Sequence, residues 1–397
     1  MRIALVNSLF PPLGIGGSEL STYYLAKGLL QAGHDVQVFS ENTTNELVET
    51  EYRGVPVMRF PAPPGHGPNV LARPRLEQEL RRVTMPPVDA LADRMRAQIL
   101  KFAPDILHTA VLGNLTNFWT MARNHSLTSV HTARSYTMLC SRRMLRGDQP
   151  CARQCLACLT DSRRRARDAS SVLDGIVTIS RHVMDVYSGA GWFADVANRA
   201  VIANSYEPTL TEVPDKTDAY DFGYIGRIHE TKGVEELLNA FTAVAERSER
   251  KLRLLVAGSG NPEYVADLAE RHASETIRFA GYLDTARFFE QVRFCVVPSV
   301  WYEPFGRVFA ETFHHATPVL GSVRGGGAET IGKDTGWLFD PGDGADLERA
   351  MEEACRLSDD DYADMAARCL AEAGKYSVSA IASQYESFYR QCLDAKR

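Results

Sequence analysis

Within SVWYEPFGRVFAETFHHATPVLG, residues 299–321, two glutamates, Glu303 and Glu311, stand with seven residues between them. A carboxylate accepts two hydrogen bonds at once, which is what a vicinal diol such as that of ribose offers. Pro304 suits the first position of a helix, which predicts Glu303 at the cap and Glu311 inside the helix. The backbone N–H groups of Phe305 and Gly306 stand beside Glu303 and would join it in holding a second hydroxylated group. Taken singly, Glu303 reads more simply as a capping carboxylate and Glu311 as a surface glutamate. A partner elsewhere in the chain has to decide.

GRIHETKG, residues 226–233, sets Arg227 and Lys232 near the start of a helix, where acids are the usual preference. Cations there suit an anionic guest such as a diphosphate, because arginine forks onto its oxygens and lysine adds a point charge. A solvated charged turn is the plain alternative. LGIGGSE, residues 13–19, follows an apolar strand and opens a helix. Gly16 and Gly17 let backbone approach a phosphate at the positive helix end, although a glycine pair serves any tight turn equally well. His131, in SVHTARS, follows another apolar strand; a lone histidine is more commonly a satisfied structural residue.

Cys140, Cys151, Cys155 and Cys158 fall within nineteen residues and end in a CxxC, a set that suits a tetrahedral structural zinc. Iron–sulfur ligation is the other chemistry open to four thiolates. Nine arginines against two aspartates lie between residues 134 and 167. That excess reads either as a surface for a phosphorylated or lipid-linked acceptor or an anionic membrane, or as a solvated face.

These groups need elements to position them. Short apolar strands alternate with helical patterns nearly from end to end, as in RIALVNS, STYYLAKGLLQAG and HDVQVFS, and again in AYDFGYIGR, GVEELLNAFTAVAER and KLRLLVAGSG. Strands apolar throughout, between helices, mark α/β domains whose parallel sheets are covered on both faces. With 397 residues, 45% hydrophobic and 24% charged, the chain exceeds one ordinary core and predicts two doubly wound domains. The boundaries expected are 1–203, carrying a Cys-rich insertion over 134–168, then 204–376, with a last helix over 377–397 returning to the first domain. The turn-rich segment 199–220 is the hinge, and the proline-rich stretch 60–87 is an excursion over a surface or cleft.

A net charge of −6 argues against general nucleic-acid binding. No apolar run approaches the roughly 20 residues that span a bilayer, and MRIALVNSLF makes a poor signal peptide. Reduced thiols then fit a cytoplasmic protein, or one peripheral at the inner face of the membrane. The Asp-x-Asp in SDDDYADM starts a polar helix and reads as a cap with first-turn acids, so the expected catalytic site holds no metal.

Together the motifs resemble the large retaining glycosyltransferase family four, with its GT-B architecture of two facing Rossmann-like domains and a cleft between them. The resemblance runs through FPPLGIGGSELSTYYLAKGLLQAGHDVQVFS, GRIHETKGVEELLNAF, VAGSG, IRFAGYL, EPFGRVFAETFHHATPVLGS and GGGAETIGKDTGWLFDPGD. It implies that Glu311 binds the ribose of a nucleotide sugar, UDP or GDP being the usual carriers, and Glu303 the donor sugar. Arg227 and Lys232 would hold the diphosphate, Gly17 would approach it from the first domain, and His131 would reach the donor sugar. It implies a hexosyl transfer of the kind used in polysaccharide biosynthesis, with the anomeric configuration retained and no covalent enzyme intermediate. The acceptor would be a glycan, a lipid-linked sugar or a small molecule. Similar cysteine clusters occur in some bacterial members. The chain departs from the pattern at Ala316 or Thr317, where a glycine is common, at the hinge, and at Arg307, where a hydrophobic residue is common. An epimerase or phosphorylase on the same architecture, or an idle zinc-stapled scaffold, are the competing readings. The first lacks the EPFG element, the second needs a cofactor lysine not found here, and intact Glu303, Glu311, Arg227 and Lys232 oppose the third.

Overall fold

Along Arg2–Asn7 (β1), Ala4 and Val6 point into one core while Ile3 and Leu5 point into another, so both faces of the strand are buried. The computed structural model describes residues 1–13, 16–42, 44, 46–61, 89–110, 116–140, 144–146, 149–151, 171–207, 210–216 and 219–396. The first domain continues through Gly17–Gln31 (α1), Asp35–Asn42 (β2), Val48–Tyr52 (β3) and Val55–Pro61 (β4). Asp89–Phe102 (α2), Ile106–Thr109 (β5), Thr116–Asn124 (α3) and Thr128–Ala133 (β6) follow. The small antiparallel pair Leu145–Arg146 (β7) and Gln149–Pro150 (β8) precedes Gly175–Thr178 (β9), Arg181–Gly189 (α4) and Asn198–Val201 (β10). Eight of these strands form one sheet in the order β10-β9-β6-β5-β1-β2-β4-β3, parallel except for the edge pair β3–β4.

The second domain comprises Tyr220–Ile225 (β11), Val234–Arg247 (α5), Leu254–Ala257 (β12), Pro262–His272 (α6), Ile277–Gly281 (β13), Thr285–Phe289 (α7) and Val292–Val297 (β14). Arg307–His314 (α8), Val319–Ser322 (β15), Gly336–Phe339 (β16), Gly344–Cys355 (α9) and Asp359–Ala373 (α10) complete it. Its sheet runs β13-β12-β11-β14-β15-β16, parallel throughout. Here too the strands alternate between two cores: Phe222, Val256, Phe294 and Val296 on one side, Leu255, Ala257, Cys295 and Val297 on the other. The order reverses between β11 and β14, and in the first sheet between β1 and β5; crevices for ligands open at the carboxyl ends of strands at such points. Ser358 caps α10 through the amide of Asp361 at 3.1 Å, with Asp359–Asp361 in its first turn.

The last helix, Val378–Lys396 (α11), packs on the first domain, where Tyr389 Oη meets His108 Nδ1 at 2.6 Å and Tyr385 Oη meets Thr132 at 3.0 Å. The chain thus crosses between domains twice, and the crossings pair: the amide of Tyr206 donates to the carbonyl of Tyr376 at 2.8 Å. The excursion expected over 60–87 lies outside the described residues beyond Pro61. No helix among the described residues is long and apolar enough to cross a membrane.

Candidate active site

The loops that follow β11 and β14, adjacent strands of the second sheet, carry three of the four charged residues singled out in the sequence, and the helix after the second loop carries the fourth, Glu311. Arg227 follows β11; it is exposed and has no ion pair among the described residues. Lys232 ends a short 3-10 turn, Glu230–Lys232, and Gly233, with φ of +68°, then caps α5. A side chain at Gly233 would drive into the carbonyl of Pro298, so the two loops are seated directly on each other. The first turn of α5 carries Glu235 and Glu236, as helix starts prefer. The two cations therefore lie ahead of the helix rather than in its first turn.

Glu303 is 8% exposed. Lys232 Nζ and Ser299 Oγ both donate to its Oε1, the latter at 3.1 Å, and Lys232 also lies over the Trp301 ring. The helix does not start at Pro304. It begins at Arg307, capped by Gly306 at φ +75°, a conformation outside the helical region. Glu303 is consequently not a helix cap: its carbonyl accepts from the amide of Gly326 at 2.7 Å, bridging it to the 3-10 turn Gly326–Thr330. Phe305 is buried in the core shared with the first domain.

Glu311 lies in the second turn of α8, where Arg307 Nη2 donates to its Oε1 at 3.4 Å. Burial raises its carboxyl above the usual range, and the Arg307 charge opposes that shift. Across the cleft, Gly16 caps α1 and Gly17 opens it, and a Cβ built on Gly17 would lie 3.1 Å from Arg307 Cδ. The glycine pair therefore brings the first domain's helix start against the residue that holds Glu311.

His131 does not join this cluster through any hydrogen bond among the described residues. It sits in the wholly buried strand β6, its Nδ1 3.0 Å from Thr109 Oγ1 and its ring edge-on to Trp119. Burial pushes its pKa down to about 3, so the ring is neutral at ordinary pH. Of the four cysteines, Cys140 is buried and Cys151 half-buried; Cys155 and Cys158 lie outside the described residues. No group of three or more potential metal ligands occurs among the described residues.

Two family profiles match: "Glycosyl transferase 4-like domain" over residues 16–205 and "Glycosyl transferases group 1" over 219–356. The chain belongs to the family-four type of glycosyltransferases. It is 28% identical, over 82% of its length and 86% of the relative's, to an uncharacterised 42.6 kDa protein in the cps region of Klebsiella pneumoniae. Its fold is that of sucrose-phosphate synthase from Thermosynechococcus elongatus, with a TM-score of 0.75, 21% identity and 99% of each chain covered. It is also that of Anabaena HepE, solved with UDP and glucose, at a TM-score of 0.70 and 16% identity over 98% of this chain and 100% of the other. The two facing domains are those of a GT-B glycosyltransferase.

Sequence reasoning missed the residues that fasten this transferase's domains together at the cleft. Ser180 Oγ donates to the carbonyl of Pro304 at 2.5 Å while accepting from Val183 N at 3.2 Å, so one hydroxyl caps α4 and grips the loop bearing Glu303. Glu329 accepts from the amides of Arg181 and His182 at 2.8 and 2.6 Å, placing a carboxylate from the second domain at the positive end of α4. His182 stacks on Tyr302, with planes 7° apart. The signal available in the sequence was a serine ahead of a helix, SRHV, which predicts a cap but not a partner in another domain.

Proposed function

We propose that the transferase moves a sugar from a nucleoside-diphosphate sugar to a glycan, lipid-linked or small-molecule acceptor, retaining the anomeric configuration and using no catalytic metal. One observation carries this reading: Lys232 pairs with Glu303 between the loops that follow the adjacent strands β11 and β14, and Arg307 pairs with Glu311 on α8, which continues the second of these loops, while Arg227 stands on the first. Glu311 accepts the ribose hydroxyls. Glu303, with the backbone N–H groups of Phe305 and Gly306, holds hydroxyls of the donor sugar. Arg227 and Lys232 offset the charge that develops on the leaving diphosphate, while the α1 start at Gly16 and Gly17 closes on it. As the bond from the sugar to the diphosphate breaks, the acceptor oxygen bonds the anomeric carbon on the same face and its proton passes to the leaving phosphate. Thr109 engages His131 Nδ1, which leaves Nε2 as the nitrogen for the donor sugar.

UDP-sugars are the first donors to test, because HepE was solved with UDP and glucose, and GDP-sugars the next. In a thermal-shift screen of UDP-, GDP-, ADP- and dTDP-sugars without added divalent cation, one carrier is expected to stabilise the protein by about 2.7 kcal/mol at a hundred times its Kd. Stabilisation by none of them would contradict the donor site.

Cys140, Cys151, Cys155 and Cys158 are proposed to hold a structural zinc. Cys140 and Cys151 flank the β7–β8 reversal, with the amide of Cys151 bonded to the carbonyl of Met144 at 2.7 Å, a turn that returns the chain as a thiolate set requires. Elemental analysis is expected to find about one zinc per chain; a folded, zinc-free protein would exclude it. The basic residues of 134–168 are proposed to meet a phosphorylated or lipid-linked acceptor, which would bring a cytoplasmic protein to the inner membrane face.

A further inference from the structure

Arg307 has more donors than partners. Its guanidinium lies 5.9 Å from the Tyr24 ring of α1 and 5.7 Å from the Tyr206 ring at the domain crossing, and its side chain is 18% exposed. Among the described residues it makes one long hydrogen bond, 3.4 Å from Nη2 to Glu311, and its buried Nη1 has no partner there. A buried guanidinium nitrogen left unpaired is costly, so an acceptor that arrives with a ligand would relieve a standing penalty. The position selects the kind of acceptor. Arg307 is the first residue of α8, and its side chain abuts Gly17, the first residue of α1, so the positive ends of two helices from opposite domains meet around it.

The charges point the same way. Lys232 is committed to Glu303, and Glu311 adds a second negative charge. Arg227 and Lys232 alone would only balance these two acids, leaving no excess for a guest that brings further negative charge. Glu19, in the first turn of α1 beside Gly16, is a third acid, and Arg307 is the cation that offsets it.

We propose that Arg307 is a third cationic ligand of the donor's diphosphate, reaching it through Nη1 from the α8 side while Nη2 stays on Glu311. The inference rests on the donor-site reading above and adds to it a residue that tells a nucleoside diphosphate from a nucleoside. Tyr24 and Gly17 of the first domain lie against the guanidinium and limit the water at that contact. The charge-assisted bond is thereby strengthened.

The test is calorimetric titration of the wild type, Arg307→Gln and Arg307→Lys with UDP and uridine, and with GDP and guanosine. Glutamine retains a donor for Glu311 but no charge. Arg307→Gln is expected to weaken diphosphate binding about 10–100-fold while changing nucleoside binding less than about threefold, and Arg307→Lys to recover part of the loss. Equal losses for nucleoside and diphosphate would assign Arg307 to holding Glu311 alone and overturn the proposal, as would no loss for either. A wild type that binds none of the four would remove the donor site itself. A wild type that binds diphosphates without the discrimination moving in the variants would remove only the role of Arg307.

Discussion

Replacing Lys232 by alanine is expected to lower kcat/KM for sugar transfer by about 100–1000-fold, most of it in kcat. The ammonium has two tasks. In the free protein it neutralises Glu303, which is 8% exposed and has Ser299 as its other donor. In the reaction it faces a diphosphate whose charge grows as the glycosidic bond breaks. An interaction stronger in the transition state than in the ground state appears in kcat, whereas simple loss of donor affinity appears in KM. Lys232→Arg separates the tasks further: it keeps the charge but spreads it over a planar fork that does not overlay the ammonium position on Glu303. It is expected to fall between wild type and alanine. A Lys232→Ala enzyme with wild-type kcat would place the developing charge elsewhere.

Glu311→Ala is expected to abolish nucleotide-induced stabilisation, through a loss of affinity of about 100-fold or more. The carboxylate supplies two acceptors for a diol. Its removal also orphans Arg307, whose one hydrogen bond among the described residues ends on Glu311. Glu311→Gln tests whether charge or geometry matters: the amide still accepts at one oxygen but no longer compensates the arginine. It should bind nucleosides more weakly than wild type and better than alanine. An unchanged shift in Glu311→Ala would remove the ribose site from α8.

The alternation of strands and helices was legible because parallel sheets covered on both faces demand continuous apolar runs, as residues 3–6 of β1, 254–257 of β12 and 294–297 of β14 are. The motif residues were legible as types, but not as a pair of pairs. Lys232 and Glu303 are 71 residues apart, and they meet because β11 and β14 are hydrogen-bonded neighbours at the reversal of the sheet order. The α8 start was misplaced because proline is a good first helical residue, whereas Gly306 at φ +75° interrupts the backbone two residues later. For His131, the sequence shows only an apolar strand. The hydrogen bond to Thr109 comes from β5, an adjacent strand, and no pattern within SVHTARS encodes it. Glu329 was unreadable for the same reason, and Ser180, legible as the cap of α4, gave no sign of its bond to Pro304: a contact made with another domain leaves no local trace.

A crystal structure of the protein with the nucleoside diphosphate that stabilises it most would decide the central claim. The ribose hydroxyls should lie within hydrogen-bonding distance of Glu311, and the diphosphate between Arg227 and Lys232 with the α1 start above it. A nucleotide bound with its ribose away from Glu311, or with its phosphates in contact with neither cation, would contradict the account.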